Sequence, residues 1–427
     1  AERTRFQVAD NEEPLVSVCS DVEETNYSID VMYKHDVVPE EYRGDIQYWL
    51  IGYMNQLVGM MYNNRLEELT QKANPPFIYG GGYYGTFLVS DTKDAWSSSA
   101  VAKDFNSIDE ALNAIVAENN RMRQFGFTAS EFERAKADLM KSVESQYDER
   151  DKKETGSYLY PILYHFLNNE PLLGIENEYM LLNQVLPSIP VEAINEYAKE
   201  LITDNNIVIA LTAPQKEGET LPTKEELLDM FNKANAVEVE PYVETVSNEP
   251  LIAKLPKSGN IIGKVADDTF GTIELTLKNG VKVIYKPTTF KDDEIIMSAY
   301  SFGGYSVMDQ SDPYTLQNIN EILTLGGVGN FSAIDLPKVL AGKKARVYPS
   351  ISNYTEGMSA SCSAKDIETM MQLVYLYFTA PRMDDEAFQS NIARAKSMVA
   401  NAESDPMTSF RDSLMMVMYD NHPLVKR

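Results

Sequence analysis

Histidine, cysteine, positive charge and unbroken apolar sequence are what this chain has least of. Its three histidines, His35, His165 and His422, stand far apart in 427 residues. None has a second histidine one helical turn away, and no acidic residue downstream completes a set with any of them. A zinc centre needs three or four convergent ligands, so each is read as a locally bonded or surface side chain, and no metal site is assigned. Two cysteines, Cys19 and Cys362, make neither a disulfide framework nor a zinc knuckle, and they leave the redox compartment open. No run approaches the roughly 18 apolar residues of a membrane span, and no apolar segment of a secretory leader follows Ala1-Glu2-Arg3-Thr4-Arg5. A net charge of -26 without a basic stripe disfavours a phosphate-backbone partner, and no nucleic acid is expected. It leaves a solvated acidic surface, or attraction for basic peptides.

What is present is an ordinary globular composition, 44% aliphatic and aromatic, over a length that implies two or three domains at about 150 residues each. An internal repeat selects two. Asn64-Arg65-Leu66-Glu67-Glu68-Leu69, Phe77 to Gly85, the alternating Ala95 to Lys103 and helical runs Ser107–Gln124 and Ser130–Val143 form the first copy. The second reads Asp335 to Leu340, Ala345 to Ser352, Gly357 to Lys365, a helix ending near Phe378 and another beginning near Asp385. Phe166-Leu167-Asn168-Asn169-Glu170-Pro171-Leu172-Leu173 also returns as Met418-Tyr419-Asp420-Asn421-His422-Pro423-Leu424-Val425. Two more helices and a strand follow in the first copy. The second stops at Arg427, so the chain is expected to be a piece of a longer protein with its last domain incomplete.

Period-two alternation marks Leu15–Cys19 and Ser28–Lys34 as paired strands, and Ile207–Leu211 as a buried one. Pro39-Glu40-Glu41-Tyr42 is expected to open a helix carrying Ile46, Leu50, Tyr53, Met54 and Leu57. Further helices are expected over Tyr158–Leu167, Ile175–Val185, Val191–Leu201, Thr223–Ala234 and Pro313–Leu325. Asn279-Gly280 between Ile273–Leu277 and Val281–Tyr285 predicts a hairpin, followed by a strand over Glu294–Phe302. The expected fold is α+β: two related domains, each a largely antiparallel sheet with helices on one side. Residues 1–235 form one domain, 236–264 a connector and 265–427 the second, truncated domain.

Three further stretches are read as structural. Gly326-Gly327-Val328-Gly329-Asn330 lacks the Lys-Ser or Lys-Thr pair of a phosphate loop and is taken as a helix-to-helix turn. Ser97-Ser98-Ser99 lacks a nucleophile elbow, and Met370–Phe378 has the spacing of a core helix.

Asn64–Leu69 with Pro75-Pro76-Phe77, Leu277-Lys278-Asn279-Gly280-Val281-Lys282-Val283 and Ser301-Phe302-Gly303-Gly304 resemble the pitrilysin/insulinase family of zinc peptidases. So do Gly342-Lys343-Lys344 with Glu356-Gly357, Lys365–Thr369, Phe378-Thr379-Ala380-Pro381-Arg382 and Asn421-His422-Pro423. The resemblance implies the second and most of the third domain of such a protein, non-catalytic parts of a two-half chamber. The family's inverted zinc motif, H-x-x-E-H, would lie in a first domain outside this chain. The helix in the matching place reads Gln317-Asn318-Ile319-Asn320-Glu321, with Gln317 and Glu321 at the histidine positions and Asn320 at the glutamate. A neutral amide is a poor ligand and no base, so neither catalytic nor metal residues are expected here, and zinc is expected only in the missing domain.

The resemblance further implies that an edge strand in the hairpin Phe77–Gly85, with Gly80, Gly81, Gly82 and Tyr83, anchors a peptide by strand addition. The competing reading makes Gly80–Gly82 a bulge or mobile turn without a ligand. Expected partners are peptide or unfolded protein and the remaining domains of the parent, in the periplasm or cell envelope. A rival reading is a metal-free scaffold or peptide-binding homologue. Presence or absence of H-x-x-E-H upstream of Ala1 in the parent separates the two.

Overall fold

The computed structural model describes residues 4–244, 247, 249–309 and 313–422. The first copy supplies β1 (Leu15–Asp21), β2 (Tyr27–Asp36), α1 (Ile46–Thr70), β3 (Tyr79–Thr86), β4 (Lys93–Ala102), α2 (Ile108–Phe125) and α3 (Ala129–Asp148). It continues through α4 (Leu159–Asn168), α5 (Ile175–Val185), α6 (Val191–Glu200), β5 (Ile207–Pro214) and α7 (Lys224–Asn235). The second supplies β6 (Ile261–Asp267), β7 (Thr272–Leu277), β8 (Lys282–Tyr285), β9 (Ile295–Phe302), α8 (Pro313–Leu325) and α9 (Asp335–Val339). Then come β10 (Ala345–Ile351), β11 (Thr355–Cys362), α10 (Ile367–Thr379), α11 (Asp385–Asn401) and α12 (Pro406–Met418).

Alternation builds the first sheet. Tyr27, Ile29, Val31 and Tyr33 of β2 turn into one core with the α2 stripe Ile108, Ala111, Leu112, Ile115 and Val116. The strand order is β1-β5-β2-β4-β3, antiparallel except where β1 meets β5. A second core gathers Val347, Met358, Ala360 and Cys362 against Met370, Leu373 and Val374 of α10. The architecture is therefore α+β, with antiparallel-dominated sheets packed on helices. Both cysteines are free.

Arg65 locks α1 to its neighbours. Its guanidinium pairs with Glu131 at 2.6 Å and Glu118 at 3.0 Å, donates to the Gly126 carbonyl at 3.0 Å, and sits over the Phe127 and Tyr242 rings. Glu131 also closes the Thr128 capping box of α3. Between the copies, Glu149 Oε1 accepts from the Asp292 and Asp293 amides at 3.0 and 2.7 Å. Asp138 accepts from the Gly342 amide at 2.6 Å, and Lys365 pairs with Glu144 at 2.5 Å.

Several elements differ from the sequence-based expectation. β1 and β2 share a sheet but are not neighbours, because β5 arrives from far along the chain and inserts between them. Helix α1 starts at Ile46, and Glu40–Tyr42 forms a separate single turn. Its counterpart in the second copy is broken into α8 and α9, in keeping with the helix-to-helix turn expected at Gly326–Asn330. A Cβ on Gly326 would lie 2.0 Å from the Arg382 carbonyl oxygen, and Gly327 adopts φ 83°. The strands of the second copy form two sheets, β6-β7-β8 and β10-β11-β9. Strand β6 begins inside the stretch expected to be connector. The Pro423–Val425 part of the repeat lies outside the described residues.

Candidate peptide-binding edge

Strand β3 has one ladder neighbour, β4, and forms an edge of the five-stranded sheet. Pro75 and Pro76 fall in the turn before it. Gly80, Gly81, Gly82 and Tyr83 all lie on β3, paired in regular register with Ala100, Ser99, Ser98 and Ser97. They form continuous strand rather than a mobile turn.

The glycines have different reasons. A Cβ on Gly82 would meet Tyr62 at 2.7 Å and Trp96 at 2.9 Å, and one on Gly80 would meet the Phe77 ring at 2.8 Å. These two face the core, where rings leave no room for a side chain. Gly81 faces outward, where an added Cβ would press on the Tyr79 hydroxyl tip at 3.0 Å and make an ordinary contact with Asn63 Oδ1 at 3.6 Å. Tyr79 and Tyr83, 62% and 59% exposed, flank it on the outer face.

A buried polar relay stiffens the platform beneath. Tyr62 and Trp96 donate to Asn119 Oδ1 at 3.0 and 3.2 Å. Asn119 Nδ2 donates to Ser98 Oγ at 2.7 Å, and Ser98 donates to the Val31 carbonyl at 3.2 Å. Ser99 is bonded to Asp30, so the serine run is structural.

Sequence reasoning missed Asn63. From α1 its Nδ2 donates to the Gly82 carbonyl at 3.1 Å, while the Gly82 amide donates to Asn63 Oδ1 at 2.7 Å. Both outward backbone groups of Gly82 are thereby satisfied, and the edge is open to another chain only on either side of that residue. The second copy repeats the device. Asn320 of α8 donates to the Ile351 carbonyl at 2.9 Å and accepts from its amide at 2.7 Å, on the edge strand β10. No spacing in the sequence pairs either asparagine with its strand.

Where β3 ends, Arg5, Arg43, Tyr48, Thr86, Asp91, Asp94 and Glu170 line a polar cavity of about 110 Å³. Burial raises the Asp94 carboxyl above the ordinary range, and nearby Arg43 partly opposes this. Burial and the Glu170 charge push the Tyr48 hydroxyl up. His35, opposite Asp94 in the ladder, is held below the ordinary imidazole range by burial, and its Nε2 lies 3.1 Å from the Leu201 carbonyl oxygen. His165 bonds the Glu170 carbonyl at 2.6 Å.

The Gly326–Asn330 backbone is already committed. Gly327 donates to Thr324, Val328 to Phe331 and Gly329 to Ala380, which leaves no nest of free amides for a phosphate.

No family model matches the chain. It is 27% identical over 425 residues to "Zinc protease PQQL-like" of Arabidopsis thaliana, covering 97% of this chain and 38% of that protein. To "Probable zinc protease PqqL" of Escherichia coli it is 22% identical over 347 residues, covering 77% and 35%. The solved periplasmic protease PqqL from Escherichia coli matches over 98% of this chain and 46% of its own, at 19% identity and TM-score 0.50. The ferredoxin protease FusC, solved with Arabidopsis ferredoxin, matches over 97% and 46% at 14% identity and TM-score 0.59. Pitrilysin matches over 94% and 42%, at 13% identity and TM-score 0.50.

The fold is that of the pitrilysin-type peptidase domains. Along its sequence the chain is similar to proteins named zinc proteases, and it spans a little over a third of the length of the curated relatives it matches.

Those relatives' names imply zinc, but the matching helix of this chain does not fit a metal. The Asn320 amide is committed to Ile351, and the Glu321 carboxylate accepts from Asn391 at 2.6 Å and lies 3.6 Å from Arg394. The Gln317 side chain lies outside the described residues. Among the described residues, no group of three or more His, Cys, Asp or Glu is placed to hold a metal, and no helix is long and apolar enough to cross a membrane.

Proposed function

We propose that this chain is the non-catalytic middle portion of a zinc endopeptidase, walling part of a substrate chamber and holding one end of a peptide. Residues 1–235 and 265–427 would be two consecutive copies of the family domain, joined through 236–264, with zinc carried elsewhere in the parent. The observation that carries this reading is β3, an edge strand on a rigid platform with two exposed tyrosines on its outer face. FusC, a fold relative, was solved in complex with ferredoxin, and the Escherichia coli relative PqqL is a periplasmic protease. Both fit a peptide or unfolded-protein ligand and an envelope location.

Strand addition depends on the ligand's own backbone donors. A labelled extended peptide should bind the chain, and N-methylation at alternate amides should weaken it by about tenfold or more, the effect of losing two or more ladder bonds. Equal affinity of the methylated and unmethylated peptides would overturn strand addition at β3.

A further inference from the structure

The edge strands β3 and β10 are closed to different degrees. In β3, Asn63 takes both outward groups of Gly82. Every second residue of an antiparallel edge points its N–H and C=O the same way, so Gly80 and Tyr84 face outward on either side of the clamp. Among the described residues, no other hydrogen bond reaches those outward groups. In β10, Asn320 holds Ile351, and the neighbouring outward position is Pro349, which has no N–H to offer. In the repeat, Pro349 opposite Met358 stands where Tyr84 opposite Trp96 stands in β3. Proline on an edge is a common device against pairing, so β10 is shut at its clamp and beside it. β3 is interrupted at one residue and left open around it.

The Asn63 carboxamide occupies the place of a ladder partner's backbone. A regular strand laid along β3 brings an N–H and a C=O to each outward residue, and at Gly82 both positions are taken. A ligand paired with Gly80 and with Tyr84 must therefore pass outside the carboxamide. Those two residues stand about 13 Å apart at about 3.3 Å per residue. Standing off by roughly 4–5 Å at the midpoint, the depth of an amide and its hydrogen bond, lengthens the path by about 3 Å, or about one residue. One extra residue in one strand of a pair is a β-bulge. Asn63 is exposed, and a carboxamide has a second N–H and a second lone pair beyond the two groups bound to Gly82. These suffice for the backbone of the bulged residue.

We infer that Asn63 sets the specificity of the β3 edge: it rejects an uninterrupted strand and selects an extended peptide with one extra residue, best a glycine, opposite Gly82. Glycine suits the place because a bulged residue often adopts a left-handed conformation. The inference rests on the proposed strand addition at β3 and names the kind of peptide that edge takes.

The test compares the affinities of labelled peptides for the 427-residue chain. A parent peptide alternates valine and threonine and carries a solubilising lysine tail, and a set of variants has one glycine inserted at each interior position in turn. One inserted peptide should bind the wild type about tenfold tighter than the parent, the effect of two ladder bonds, and slow hydrogen exchange at Gly80 and Tyr84. In Asn63→Ala the order should reverse, with the parent slowing exchange at Gly82 as well. A parent that binds the wild type as tightly as the best inserted peptide would overturn the inference, and so would an unchanged order in Asn63→Ala. The wild-type comparison decides by itself if that variant fails to fold. Binding that is insensitive to N-methylation strikes strand addition itself, whereas intact sensitivity without a preference for the inserted glycine strikes only the role of Asn63.

Discussion

At the scale of single residues, Gly82 and Asp94 make the sharpest demands. Gly82 sits where any Cβ would strike Tyr62 and Trp96, so Gly82→Val should destabilise the fold by about 3 kcal/mol, read by denaturant melting. That substitution therefore says nothing about ligands, whereas Gly81→Val, whose Cβ presses only on the far end of the exposed Tyr79 and otherwise makes ordinary contact with Asn63, should fold normally. Burial raises the Asp94 carboxyl above its ordinary range, so carrying the charge costs more in the folded than in the unfolded state once both are ionised. Asp94→Asn should raise the melting temperature at pH 7. The gain should shrink as pH falls through the raised folded value toward the ordinary carboxylate range, where the wild-type carboxyl is itself neutral. An unchanged melting temperature at pH 7 would show that Arg43 fully offsets the burial cost.

At the scale of elements, Arg65 shows how one side chain fixes several helices. Its carboxylate partners Glu118 and Glu131 come from α2 and α3 and are as deeply buried as it is. Arg65→Ala would strand the Glu131 charge and leave Glu118 with Arg121 alone, and should cost about 3–5 kcal/mol in equilibrium unfolding. Local pattern made most helices legible in the sequence: α5 falls on Ile175–Val185 and α8 on Pro313–Leu325, both as the periodicity predicts. Long-range pairing was not legible. Alternation says that Leu15–Cys19 and Ser28–Lys34 are strands, but nothing near them announces that Ile207–Leu211 will separate them. The edge at β3 was visible through its prolines and glycines, yet its clamp was not. Asn63 acts through the geometry of a helix laid beside a strand, which has no signature in sequence spacing. Asn320, which the resemblance sets at the glutamate of the zinc motif, braces the Ile351 backbone.

At the scale of the whole molecule, the two copies are joined by groups that hold backbone amides as well as by charge pairs. Glu149 accepts two amides of the second copy, and Asp138 accepts another. Glu149→Ala with Asp138→Ala should remove about 1 kcal/mol per lost bond from this junction. Proteolysis within residues 249–260 should accelerate, while the first sheet keeps its hydrogen-exchange protection. A junction of this kind fits the proposed chamber wall, which requires the two copies to hold their relative placement. The most direct measurement is therefore hydrogen exchange along β3 in the presence of a saturating extended peptide. The outward amides of Gly80 and Tyr84, on either side of the Asn63 clamp, should exchange more slowly, with β10 unaffected. Unchanged exchange throughout Tyr79–Thr86 in a chain that demonstrably binds the peptide would contradict the assignment of this edge as the holding site.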